Sequence, residues 1–500
     1  MLDSYEKLLS KSKEITLWES IKSIMEWDFE TKMPLGAMDQ RSMQMGLMEE
    51  LVHRRWVDPE INTLLAEVKR SSEYENLDAE EKRNVYLMQR SYDRETKLPD
   101  DLVNAIAKQE VVTNSVWKKA KAKKDFSMFQ KDLEKMIELV KKKAHYLAAD
   151  MDPYDAMIDF YEPGATAAAI SRVFEPLKNG LIPLIKKCVE SKGKPKLSFM
   201  SRPVPLDVQA KISQKLMEFA KYDLRRGRLD ETEHPFTNGL YDDVRICTHY
   251  HETEFASSAF SVLHESGHAL YDQNLPEKTR FQPVCRYCSM GIHESISRFV
   301  ENIVGRSKAF WTYFLPELKK ITGKTFRDIN VDLMMRGIND VKPSKIRIEA
   351  DEVTYSLHII LRFEIEKALM ADEIKISELP QVWNEKMNEF LGVEVENDSE
   401  GLMQDTHWAN GYVGYFPDYA LGNVFDGMWL EAMEKKVPRW RDAVAQGDFS
   451  SVFSWLKENI WEKGNIMDSL DLVKSVTGKE VDSQPFLTYL NEKMKTILSF

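Results

Sequence analysis

The chain reads as a mainly α protein, and three observations predict it. Apolar residues recur at helical spacing along much of the 500 residues, strict two-residue alternation is scarce, and no internal repeat or low-complexity segment interrupts the pattern. Near the start, Leu17, Ile21, Ile24 and Met25 fall on one helical face. Pro99 followed by Asp100 and Asp101 suits the opening of another helix, because proline already holds a helical φ and carboxylates favour the positive end of the helix dipole. Leu133, Met136, Ile137, Val140, Ala144 and Leu147 then carry the i, i+3, i+4, i+7 pattern, with Lys141, Lys142 and Lys143 on the solvated side. Lys192–Pro205 and Glu394–Gly401 have linker composition. Neither is long enough to demand separate domains, so residues 1–500 are taken as one catalytic domain. The working division is a helical lobe, 1–190, and a catalytic lobe, 191–500.

Composition excludes several function classes. With 81 acidic against 69 basic residues the net charge is -12, which argues against nucleic acid and gives no pull toward an anionic membrane. No apolar run reaches the ~18 residues of a membrane span, and the opening Met-Leu-Asp-Ser-Tyr-Glu-Lys lacks the basic-then-apolar layout of a secretory signal. Cys188, Cys247, Cys285 and Cys288 do not make a disulfide framework, so the expected home is the cytoplasm. Cys285 and Cys288 form a C-x-x-C pair, but no second pair accompanies it to complete a structural zinc site; buried free thiols are the expectation.

The most informative stretch is His264-Glu265-Ser266-Gly267-His268. On a helix, positions i and i+4 share a face, so both imidazoles can reach one metal ion. Glu265 is placed to accept a proton from water activated there. Gly267 has no side chain and allows another element or a substrate backbone to approach that turn. Pro276 ends this helix about two turns after His268. A second helix, expected over Ser289–Val304, carries Ile292, Ile296, Phe299, Val300 and Ile303 on its apolar side and Glu294, Ser297, Arg298 and Glu301 on another face. An antiparallel pair of helices would bring the two polar faces together, making Glu294 the third metal ligand and Arg298 the partner that holds its carboxylate.

The chain resembles the thermostable Taq-type metallocarboxypeptidases, a family with six short motifs in fixed order. His234-Pro235-Phe236 matches HPF; Asp243 to Cys247 matches DxRxT with Cys247 in place of Thr; His264 to His268 is HExxH. His293-Glu294-Ser295-Ile296 matches HESQ with Ile296 in place of Gln; Ile346 to Asp351 fits IRxxAD, and Gly401 to Trp408 fits GxxQDxHW. Trp27-Asp28 with Thr31, Met33 and Pro34, and Pro485-Phe486-Leu487, extend the likeness to nearly the whole chain. The two departures leave the ligands and the base untouched and bear on local contacts only. The resemblance implies a large helical zincin-like metallopeptidase with a deep cleft between two lobes. It implies removal of single amino acids from peptides with a free C-terminus, one divalent ion per chain (zinc, or cobalt) on His264, His268 and Glu294, and a homodimer.

An exopeptidase must read the terminal carboxylate, and a fixed guanidinium suits it by bidentate geometry. Arg347 is the leading clamp, against a local salt bridge to Glu349 or Asp351, and Arg245 is second choice. His407 is a candidate donor to the tetrahedral oxyanion or the substrate carboxylate, against a structural role beside Trp408. Tyr415 and Tyr419 follow in an irregular Gly-rich wall between Gly411 and Gly422 whose spacing fits no nucleotide motif. His234 is expected at the cleft, while His249 and His251 read equally well as surface residues. Two other readings compete: an endo-acting or dipeptide-releasing helical HExxH oligopeptidase, which needs no carboxylate clamp, and a non-catalytic metal-bearing scaffold, which needs no Glu265.

Overall fold

The first helix, Asp3–Thr31, shows how far periodicity alone carries. Its buried residues are Tyr5, Leu8, Ser12, Ile15, Thr16 and Trp27, while Leu17, Ile21 and Ile24 are 43%, 44% and 42% exposed. The expected apolar stripe therefore faces outward. Its N-terminal half packs Tyr5, Leu8 and Ile15 against Ile61, Leu64, Leu65, Val68, Val85 and Met88. Further along, Thr16, Glu19, Ser20 and Ser23 turn toward a cavity, so the opposite face is left to solvent.

The structure, a computed structural model, describes residues 3–191 and 196–499; of the expected linker Lys192–Pro205, Lys192 to Pro195 lie outside the described residues. Glu394–Gly401 is irregular, as its composition predicts, and follows the helix Leu379–Leu391. Helices dominate. Asp100–Lys123 opens directly after Pro99, and Ser127–Leu147 buries Leu133, Met136, Ile137, Val140 and Ala144 on one face. Burial of such side chains contributes about 1.5–3 kcal/mol each for the larger ones. One apolar core runs from Ala120 to Ile497, across the working division at residue 190.

A three-stranded sheet interrupts the helical pattern: β1 (Leu229–Glu231), β2 (Phe236–Leu240) and β3 (Asp243–Thr248), in the order β1-β3-β2. β1 runs parallel to β3, and β2 pairs antiparallel with it in the register Thr237↔Ile246 and Leu240↔Asp243. The tight β2–β3 connection places Tyr241 at φ 58° and Gly239 at φ 116°; a Cβ at Gly239 would fall 1.9 Å from the Asp243 carbonyl, so only glycine fits. β3 buries Val244 and Ile246 and packs on the helix Phe255–Gln273.

Candidate active site

The helix Phe255–Gln273 is buried nearly all round and carries His264, Glu265, Gly267 and His268. It lies against the helix Met290–Arg298, whose N-cap Ser289 accepts a hydrogen bond from the Ile292 amide. The approach is close because Gly267 has no Cβ: one built there would stand 2.6 Å from Ser297 Cα and 2.8 Å from the Ile296 carbonyl oxygen. The second helix does not run on as α to Val304. Phe299–Val304 is a π turn, a departure often found at functional sites.

His264 Nε2 lies 3.6 Å and His268 Nε2 3.4 Å from Glu294 Oε2. Two atoms each ~2.0–2.1 Å from a tetrahedral zinc ion stand about 3.4 Å apart, so the spacing fits a divalent metal. Among the described residues these three are the group able to hold one. Their other atoms are committed elsewhere: His264 Nδ1 meets Glu301 Oε2 at 3.0 Å and Arg298 Nε donates to Glu294 Oε1 at 2.7 Å. Burial opposes charge on His264, but Glu294, Glu301 and Glu265 outweigh it and push the imidazole up to about 9. Burial and His293 push His268 down to about 3. Burial would raise the Glu294 carboxyl, yet Arg298, His264 and His268 hold it well below the usual carboxylate range. Glu301 is in turn bound by Arg306.

Glu265 is 6% exposed and faces the same cavity. Thr237, from β2, donates its hydroxyl to Glu265 Oε2 at 2.6 Å. Burial is the main cause that raises the Glu265 carboxyl. The cavity measures about 1050 Å³ and draws its walls from the first helix, from β2, from both histidine-bearing helices, and from the segments around Arg347 and Tyr415.

Arg347 reaches this cavity, and its partner is neither Glu349 nor Asp351. Its Nε and Nη2 donate to Asp405 Oδ1 at 3.2 and 2.9 Å, and Nη1 donates to Tyr355 Oη at 3.1 Å. Arg362, 1% exposed in the middle of the helix Tyr355–Met370, donates to the other oxygen of Asp405 at 2.8 and 2.5 Å. Two guanidiniums thus share one carboxylate and leave one positive charge uncompensated. Burial works against it, but Tyr355, Asp405 and Tyr419 keep Arg347 charged. His407 sits among Tyr415, Phe416 and Tyr419, with Nδ1 buried and without a hydrogen-bond partner. Burial, with Arg347 and Arg362 nearby, pushes it down to about 4, so it is neutral at pH 7. Tyr415 and Tyr419 line the cavity.

Three expected residues, His407, Arg245 and His234, do not line this cavity; His407 has its Nε2 3.5 Å from Tyr419 Oη. Arg245 pairs with Asp243 at 2.7 Å, stacks over Trp27, and lines an adjoining 220 Å³ pocket that shares Ser23 and Asn238 with the cavity. His234 is exposed; its neighbours Pro235 and Phe236 line the cavity instead, because the strand begins after it. His249 meets the Thr232 carbonyl, and His251 is exposed. All four cysteines are buried. Sequence reasoning missed Thr237, Asp405 and Arg362. Two signals were available: Arg362, a charge ending the apolar run Ile359–Leu361, and the place of Asp405 within the Gly401 to Trp408 motif.

The profile of the carboxypeptidase Taq (M32) metallopeptidase family matches residues 7–494. Carboxypeptidase 1 of Bacillus subtilis is 35% identical over 502 residues, covering 99% of each chain. Thermostable carboxypeptidase 1 of Thermus thermophilus is 36% identical over 500 residues, covering 98% of each. The crystal structure of an M32 carboxypeptidase from Deinococcus radiodurans R1 superposes with a TM-score of 0.96 at 31% identity, covering 99% of this chain and 100% of that one.

Proposed function

Because the chain belongs to the carboxypeptidase Taq (M32) metallopeptidase family and is a metallocarboxypeptidase, we propose that it releases single amino acids from the free C-terminus of peptides. One divalent ion, zinc or cobalt, is held by His264, His268 and Glu294. Such an ion supplies Lewis acidity, lowering the pKa of water from roughly 15.7 toward ~7. Glu265 takes the proton as water attacks the last peptide carbonyl and returns it to the leaving amine. Thr237 holds the carboxylate in place by donating to its Oε2. The Tyr415 and Tyr419 phenols, which line the cavity, supply donors for the developing oxyanion, and His407, with Nε2 3.5 Å from Tyr419 Oη, acts through Tyr419.

The observation that carries the reading is the uncompensated charge of the Arg347–Asp405–Arg362 triad in the cavity that holds Glu265 and the ligand set. A buried cation with spare charge favours an anion, and the terminal carboxylate is the anion that an exopeptidase substrate brings. Arg347→Ala should cost ~2–5 kcal/mol in kcat/KM on a free-acid peptide, the range seen when a buried charge loses its partner. The C-terminally amidated peptide never used that charge, so the gap between the two substrates should narrow. Equal slowing of both, or intact discrimination, would make Arg347 structural. Equal turnover of both by the parent protein would favour internal cleavage instead.

We extend the reading to a homodimer acting in the cytoplasm. Leu17, Ile21, Ile24, Met43 and Leu47 are exposed on the first helix and on its packed neighbour Met38–Trp56, and apolar side chains left to solvent on two neighbouring helices favour association. Sedimentation across a range of protein concentrations tests it.

A further inference from the structure

His268 and His264 are backed differently. Behind His264 stands a carboxylate, Glu301. Behind His268 stands another imidazole: His268 Nδ1 lies 2.6 Å from His293 Nδ1, and His293 Nε2 lies 3.2 Å from Asp272 Oδ2. The His268 and His293 ring planes are within 17° of parallel, with centroids 4.5 Å apart. Full face-to-face overlap does not bring ring atoms closer than about 3.5 Å, so the 2.6 Å separation means the rings are displaced sideways with their Nδ1 atoms within hydrogen-bond distance.

The chain has a fixed direction. Asp272, committed to accept, takes a proton bond from His293 Nε2–H, which leaves His293 Nδ1 as a bare acceptor. That acceptor takes the Nδ1–H of His268, and the His268 lone pair is then confined to Nε2, the atom facing Glu294. His264, His268 and Asp272 follow one another at i, i+4 and i+8 on one helix, so both ends of the chain are held by the same rigid element. His293 is inserted from the second helix, one residue before Glu294, and is 8% exposed. Tyr271 and Tyr287 pack against its ring at centroid distances of 5.5 and 4.5 Å.

We propose that His293 is a positioning residue for the metal site, passing the orientation of Asp272 to His268 through a one-way hydrogen-bond chain and thereby setting metal affinity. The inference rests on the proposed ligand set. It implies that the two histidine ligands are unequal: a carboxylate fixes and enriches His264, whereas a neutral imidazole fixes His268 without adding negative charge.

The test reads metal binding, not turnover. Zinc affinity of the purified protein is measured by competition with a chromophoric chelator, beside the melting temperature of the metal-free form. His293→Phe keeps a ring but no acceptor and should weaken zinc binding ~10–100-fold, the usual cost of losing such a partner. His293→Asn keeps an acceptor near the Nδ1 position and should stay within a few-fold of the parent. If His293→Phe does not fold, Asp272→Ala serves: with its anchor gone, His293 loses the fixed tautomer and affinity should fall likewise. In the zinc-loaded parent, nitrogen-15 NMR should show His268 protonated at Nδ1 and His293 at Nε2. Parental affinity in both His293→Phe and Asp272→Ala, or equal losses in the Phe and Asn variants, would overturn the proposal. A parent protein that binds no zinc would overturn the ligand set itself, which is a different failure.

Discussion

Glu265 and Glu294 are both buried carboxyls on adjoining helices, and their neighbours drive them in opposite directions. Glu294 has Arg298 at 2.7 Å and two imidazoles beside it, which keep it ionised as a ligand must be. Burial raises the Glu265 carboxyl, with Glu294 and Glu301 adding to it, and neither His264 nor the Thr237 hydroxyl cancels the rise, which is the direction a general base needs. Glu265→Gln keeps the size and packing but cannot take a proton. Turnover should fall by at least ~10²-fold while zinc content stays at the parental level; a variant that holds metal and still turns over near the parental rate would place the base elsewhere. The ligands and this base are legible in sequence because i, i+4 spacing on a helix is a local constraint. Asp405, 58 residues after Arg347, has no such local signature, which is why its pairing appears only once the chain is folded.

At the scale of elements, the site depends on how closely two helices cross. The metal would bridge the helix Phe255–Gln273, through His264 and His268, to the helix Met290–Arg298, through Glu294. Gly267 sets their separation, and on the far side Gly422 admits Glu294 Cγ to 3.0 Å of where its own Cβ would be. Gly267→Ala would drive a methyl into the Ser297 backbone, which cannot rotate away as a side chain would. Overpacking of this kind costs about 1–3 kcal/mol, and parting the helices should also weaken zinc binding. Urea unfolding of the metal-free protein and the chelator competition measure the two effects; parental values in both would mean the crossing has slack. Both helices were expected from sequence, but not the π turn Phe299–Val304, since no residue pattern there marks an extra residue per turn. The strands were missed for another reason: β3 alternates for only four residues, Asp243 to Ile246, before Cys247 and Thr248 are buried together.

On the scale of the whole molecule, the described residues form two unequal apolar clusters. The small one joins nine buried residues between Tyr5 and Met88, and the large one carries the ligand helices. Opening free energy follows local burial, so the unit built on the smaller cluster should open at less cost than the rest. Specific bonds fasten it to the body, among them Arg83 to Asp468 at 2.6 Å and the Ser12 hydroxyl to the Phe281 carbonyl at 2.8 Å. Such polar contacts join it to the body, whereas the body itself is held by a continuous apolar core that runs from Ala120 to Ile497. The first helix also supplies Thr16, Glu19, Ser20 and Ser23 to the cavity wall, so its opening would widen the path to Glu265. Hydrogen exchange followed by mass spectrometry should therefore show helices Asp3–Thr31 and Met38–Trp56 exchanging faster than Phe255–Gln273 and Met290–Arg298. A peptide ending in a free carboxylate but resistant to cleavage should slow the first pair, because it is held between Arg347 in the body and the wall that moves. If the N-terminal helices exchange as slowly as the ligand helices, the two clusters unfold as one and the cavity is a fixed volume. If they are fast and the peptide leaves them so, the first helix takes no part in holding substrate.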